Sequence, residues 1–198
     1  MRKLIVVRAG DTCWEEEDRL QGTVSLPLTE AGKSRLDGIG AALADEGVCS
    51  LYSRGNESSG PTADYLAGIL EVKARKMVAL REMDCGVWQG LRIKDIQKRF
   101  SSAYKQWRRD PTSITPCQAE SLASVHERVA PALATLLKKH GDKTAVVVAG
   151  QIVAAVIACV MTGTALEELW EAVDPASRVQ EYEMAPGDPV AEVSTRSS

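Results

Sequence analysis

Four apolar runs in this chain end in residues able to handle an anion. Leu4-Ile5-Val6-Val7 leads into Arg8-Ala9-Gly10-Asp11-Thr12, a second run ends at Ser53-Arg54, a third leads to Glu82, and the run from Thr144 ends at Ala149-Gly150-Gln151. Two guanidiniums, a carboxylate and the free amides of a helix start suit a negatively charged ligand. The carboxylate adds a group that can give or take a proton. A plain surface pair of Arg and Glu would account for the same residue types. At the centre of the first segment, Ala9 offers only a methyl group. The chain holds two histidines, His126 inside a helical stretch and His140 at its end next to Gly141. His140 there suits a favourable contact with the helix dipole.

These residues need a scaffold that brings strand ends together. Residues 3–8, 48–53, 76–80 and 144–149 read as strands, the last apolar enough to be buried on both faces of a parallel sheet. Residues 178–184 alternate and read as an edge strand. Helices are predicted from a Thr29 cap to about residue 46, from about Pro61 to Leu70, and over 93–107, 121–139, 151–162 and 165–172. Over 121–139, Leu122, Val125, Val129, Leu133 and Leu136 share one stripe. Strands alternating with helices predict a three-layer α/β/α sandwich with a mostly parallel central sheet. Such sheets bind ligands beyond the carboxyl ends of their strands. Residues 1–186 are expected to form one domain, with 90–120 as an insertion that lids the site and 187–198 as a polar tail. There is no internal repeat.

Composition narrows the function. The chain has 198 residues, room for one sizeable core, and a net charge of -3, which offers no basic field for nucleic acid. No run approaches the roughly 18 apolar residues of a membrane span, and the first apolar run is too short for a signal peptide. A cytoplasmic location is the expectation. Cys13, Cys49, Cys85, Cys117 and Cys159 form no CxxC pair, so no disulfide framework or zinc site is expected, and no cofactor. Cys49 and Cys159 lie in apolar segments and are expected in the core.

The motifs then fall into a known order. Arg8-Ala9-Gly10-Asp11-Thr12 is followed by Trp14, Arg19, Gln21-Gly22 and Pro27-Leu28-Thr29-Glu30-Ala31-Gly32. Glu82, Gly86, Trp88-Gln89-Gly90 and Glu120-Ser121-Leu122 come after. Together they resemble the histidine phosphatase superfamily, in the branch of the phosphoglycerate mutases and related phosphatases. The resemblance covers nearly the whole chain and implies the phosphoglycerate mutase-like fold. In that family a His after the first strand attacks phosphorus and is transiently phosphorylated. Two Arg and a second His hold the phosphoryl oxygens, and a Glu or Asp protonates the leaving group.

The resemblance also locates departures. Ala9 stands at the nucleophile position, Ser58 at the second Arg and Gly150 at the second His, while Arg8 and the general-acid position Glu82 are kept. The residues expected to bind are Arg8, Thr12, Arg19, Ser58, Glu82 and Gln151, with Arg54 the candidate to replace the missing cation. Loss of the nucleophile alone costs on the order of a millionfold in turnover. A pseudophosphatase binding a small anionic or polar ligand is therefore expected, without nucleic-acid or membrane partners. A rerouted hydrolase using Glu82 and Arg8, or an interaction protein that forms homo-oligomers, are the alternatives. Restoring His, Arg and His at the three positions is expected to return phosphatase activity if the pocket keeps its shape.

Overall fold

The computed structural model describes residues 2–55 and 58–184. The predicted tail, 187–198, lies outside the described residues.

Strands β1 (Arg2–Arg8), β2 (Val48–Ser53), β3 (Ala74–Lys76), β4 (Thr144–Ala149) and β5 (Val179–Met184) form one sheet in the order β3-β2-β4-β1-β5. β1 and β4 pair in parallel, as do β2 and β4 and β2 and β3, while β5 runs antiparallel to β1 at the edge. Side chains alternate across each strand, so each central strand feeds two cores. Leu4, Val6, Ala145, Val147 and Ala149 face one cluster, and Ile5, Val7, Val146 and Val148 face the other. This is the α/β sandwich that the sequence predicts.

The helices are α1 (Cys13–Glu16), α2 (Glu30–Leu43), α3 (Ser59–Ile69), α4 (Ile93–Arg99), α5 (Ser101–Arg109), α6 (Leu122–His140) and α7 (Gln151–Thr162). α2 and α3 cover the face of Ile5 and Val7, through Leu36, Leu43, Ala63 and Leu66. α6 and α7 cover the other face. α6 presents the predicted stripe, with Val125 and Val129 fully buried. α7 is apolar all round and buried from Ile152 to Val160, as a central helix must be. Thr29 caps α2 by accepting from the Gly32 amide at 3.0 Å.

Several expectations shift. The strand predicted over 76–80 occupies 74–76 instead. Its partner β2 stops at Ser53, whose carbonyl takes the Met77 amide at 2.8 Å, so nothing remains for later residues to pair with. The helix predicted over 93–107 breaks at Phe100, which leaves helical geometry at φ -125° and ψ 41°. The helix predicted near 165–172 is a single 3-10 turn over Leu166–Glu168. Side chains hold the residues beyond that turn: Leu169 is fully buried and Trp170 Nε1 donates to the Trp107 carbonyl at 3.0 Å. Cys159 is buried as expected, but Cys49 is exposed, because β2 enters the core only after its first two residues. Segment 90–120 supplies α4 and α5, anchored by buried Ile96 and Trp107.

Candidate active site

A cleft of about 300 Å³ opens beyond the carboxyl ends of β1 and β4. Of the residues expected to bind, Arg8, Arg19, Ser58, Glu82 and Gln151 line it, together with Ala9 and Gly150. Thr12 does not: it is fully buried, and its amide donates to Glu15 Oε2 at 3.3 Å, within the turn that starts α1. Arg54 is also absent from the lining, and its Nε is buried with no hydrogen-bond partner among the described residues. Neither histidine lines the cleft.

β1 delivers Arg8 and Ala9 to the floor. Ala9 is 4% exposed, and its amide donates to the Ala149 carbonyl at 2.8 Å, the last rung of the β1–β4 ladder. The loop then folds against α3. The Gly10 amide donates to Thr62 Oγ1, and that hydroxyl donates to the Ser58 carbonyl, both at 2.8 Å. A β-carbon at position 10 would lie 2.9 Å from Leu28 Cδ2, so a larger residue there would have to push that side chain aside. Ser58 and Ser59 begin α3 at the rim. Ser59 is 2% exposed, and its Oγ has no hydrogen-bond partner among the described residues.

Arg178 is the cation that the motifs do not reveal. β5 is antiparallel, so its beginning, rather than its end, meets the end of β1, and the Arg8 amide donates to the Arg178 carbonyl at 2.8 Å. The Arg178 guanidinium reaches the Ala9 carbonyl at 3.3 Å and Glu15 Oε1 at 3.4 Å, and it pairs with Asp11. Asp11 is buried and also pairs with Arg35. Only the pairing of a strand far along the chain finds Arg178; no local signal marks it.

Arg8 is left with less. Its Nη1 donates to the Pro175 carbonyl at 3.1 Å, and its Nε is buried without a partner among the described residues. Burial lowers its pKa, and Arg178 and Arg35 push in the same direction against Glu15. A guanidinium stays charged under such pressure, so Arg8 keeps its positive charge at the cleft floor. Burial raises the pKa of Glu15, against the pull of Arg178.

Glu82 is 6% exposed and turns towards α7. Its Oε1 accepts from the Met83 amide at 2.6 Å and the Val153 amide at 3.2 Å, and its Oε2 accepts from the Ile152 amide at 3.2 Å. The carboxylate thus sits on the positive end of α7, a favourable place for it. It also fills the space beside Gly150, where a β-carbon would lie 2.1 Å from Oε2. Elsewhere on the rim, Arg19 donates to the Gly90 carbonyl and to Glu17, each at 2.7 Å.

A mostly parallel sheet whose strand ends gather guanidiniums and two helix starts around a cleft defines an α/β protein with a candidate site at the carboxyl ends of its strands. Residues 4–195 match the Histidine phosphatase superfamily (branch 1), and the chain belongs to that family. It is 31% identical over 157 residues to phosphoglycerate mutase-like protein 4 of Arabidopsis thaliana, covering 76% of this chain and 67% of that one. It is 28% identical over 170 residues to phosphoserine phosphatase 1 of Hydrogenobacter thermophilus, covering 86% and 81%. Among solved structures, the mycobacterial hydrolase 1 superposes with a TM-score of 0.84 at 23% identity, covering 96% of this chain and 94% of that one. A mycobacterial glucosyl-3-phosphoglycerate phosphatase solved with VO3 gives 0.83 at 24% identity, covering 91% and 90%. Among the described residues no helix is long and apolar enough to cross a membrane.

Proposed function

We propose that this chain is a pseudophosphatase: a family member that binds a small anion at Arg8 and does not carry out phosphohistidine chemistry. The observation that carries the reading is the methyl group of Ala9 at the cleft floor, with both histidines elsewhere. A nucleophile is what splits phosphoryl transfer into two easier steps in this family, and an alkyl group cannot replace it. The relatives named as phosphatases or mutases support the kind of ligand, an anion of phosphoester type, but not its turnover here.

The cleft favours a ligand of low charge. Arg8, Arg19 and Arg178 are offset by Glu15, Asp18 and Glu82 on the same walls. A dianion would meet those carboxylates as well as the guanidiniums. The rerouted reading, with Glu82 as acid or base, loses support because three backbone amides already engage that carboxylate.

Calorimetric titration tests both halves. Inorganic phosphate should give a saturable heat that weakens by about 10- to 100-fold in Arg8→Ala, since charge-assisted hydrogen bonds contribute about 1.5–3 kcal/mol. Injected 3-phosphoglycerate, which carries more negative charge, should bind more weakly than phosphate and give no continuing heat of turnover. No saturable heat from the wild-type chain, or a steady heat after ester injection, would contradict the proposal.

A further inference from the structure

The other end of the sheet carries a group of side chains that the cleft does not use. β2 and β4 run in parallel, so Cys49 at the start of β2 lies at the end remote from Gly150. His140, the last residue of α6, stands there too. Its Nδ1 is 3.4 Å from Cys49 Sγ and its Nε2 is 2.6 Å from the Tyr52 hydroxyl. The Tyr52 ring meets the imidazole edge-on, with centroids 5.4 Å apart.

We propose that Cys49, His140 and Tyr52 form a reactive-thiol site whose substrate is an oxidant of the hydroperoxide class. The arrangement is a nucleophile, a base and a group that orients the base. Tyr52 is buried and fixes the ring between itself and the thiol. When Nε2–H donates to the Tyr52 oxygen, the lone pair of Nδ1 faces Sγ and can take its proton. Cys49 is exposed, so an oxidant can reach it.

The charged groups facing His140 are cationic: Lys139 beside it, Lys143 on the following turn and Arg75 on β3. Burial first, then these cations, keep its pKa below the usual histidine value, so the imidazole is neutral near neutral pH and its Nδ1 lone pair stays available to the thiol 3.4 Å away.

The step balances without a bound cofactor. The Sγ proton moves to Nδ1, and the thiolate sulfur attacks an oxygen of the hydroperoxide. An S–O bond forms as the O–O bond breaks. The departing alkoxide or hydroxide takes the proton back from His140. Cysteine is oxidised by two electrons to the sulfenic acid, and the hydroperoxide is reduced to an alcohol or water.

Cys13 and Cys117 are also exposed, and neither has a histidine hydrogen bond among the described residues, so they serve as internal references. The full-length protein would be treated with limiting hydrogen peroxide in the presence of a sulfenic-acid trap, and labelling at each cysteine followed by peptide mass spectrometry. Cys49 should label at least tenfold faster than Cys13 and Cys117. In His140→Asn that advantage should disappear while the rates of the other two are unchanged. Equal rates at the three exposed cysteines of the wild-type protein would overturn the proposal, whatever the fold of the variant. So would a Cys49 rate that survives His140→Asn.

Discussion

At the scale of single residues, the two histidines show how burial decides chemistry. His140 stands where a cation would suit the carbonyl end of α6, yet burial and three nearby cations push its pKa down. The dipole contact expected of a charged His140 therefore gives way to hydrogen bonds with Tyr52 and Cys49. His126 is also lowered, by burial, with Glu127 opposing. Both shifts have the same sign for stability. The unfolded imidazoles bind protons as pH falls through about 6.5, while the folded ones resist until lower pH. Stability from these groups is thus complete above pH of about 6.5 and declines below it. Thermal unfolding should show a midpoint that is flat between about pH 8 and 7 and falls from about pH 6.5 to 5.5. The fall should be shallower in His126→Gln. A midpoint that rises on acidification through this window would show that the histidines are better accommodated as cations.

At the scale of elements, Gly150 and Glu82 form one unit. Gly150 has φ -71°, which any residue adopts, so its smallness answers a need for space and not for backbone freedom. The space is taken by the Glu82 carboxylate, which caps α7 through the Ile152 and Val153 amides. Gly150→Ala should drive the carboxylate off those amides and cost about 1–3 kcal/mol, the range for a buried polar group left unpaired. In a Glu82→Ala background the same substitution should cost close to nothing. Denaturant unfolding of the four proteins gives this coupling directly, and equal costs in both backgrounds would refute the unit. The combined variant Ala9→His, Ser58→Arg, Gly150→His meets the same obstacle: Gly150→His requires Glu82 to leave α7. Recovery of activity therefore depends on the Glu82 side chain giving way at position 150.

At the scale of the whole molecule, the features legible in the sequence are local or ordered by motif. β1, β2 and β4 show as short apolar runs, and α2, α6 and α7 show through caps and periodicity. The motif order places Arg8, Ala9, Glu82 and Gly150 around one cleft, and the cleft is there. The hidden features depend on contacts between distant segments. Arg178 enters because an antiparallel edge strand begins where β1 ends, a pairing that spans most of the chain. Cys49 lies in an apolar run and is still exposed, because the sheet buries β2 only from Ser50 onward. The 165–172 stretch has helical spacing, but its Leu169 and Trp170 are fixed by the core and by Trp107. Glu82 is legible as a carboxylate at the site, and its service to α7 is not, because the amides it meets come from a segment 70 residues away.

The proposed loss of phosphohistidine chemistry at Ala9 is a claim about turnover, and phosphate release from p-nitrophenyl phosphate measures it most directly. Removal of a covalent nucleophile lowers turnover on the order of a millionfold. Wild-type protein at high concentration should therefore release no phosphate above a buffer blank, and Glu82→Gln should behave identically. Saturable release by the wild-type chain that is lost in Arg8→Ala would contradict the claim, since it would place a working catalyst in the cleft that Ala9 floors.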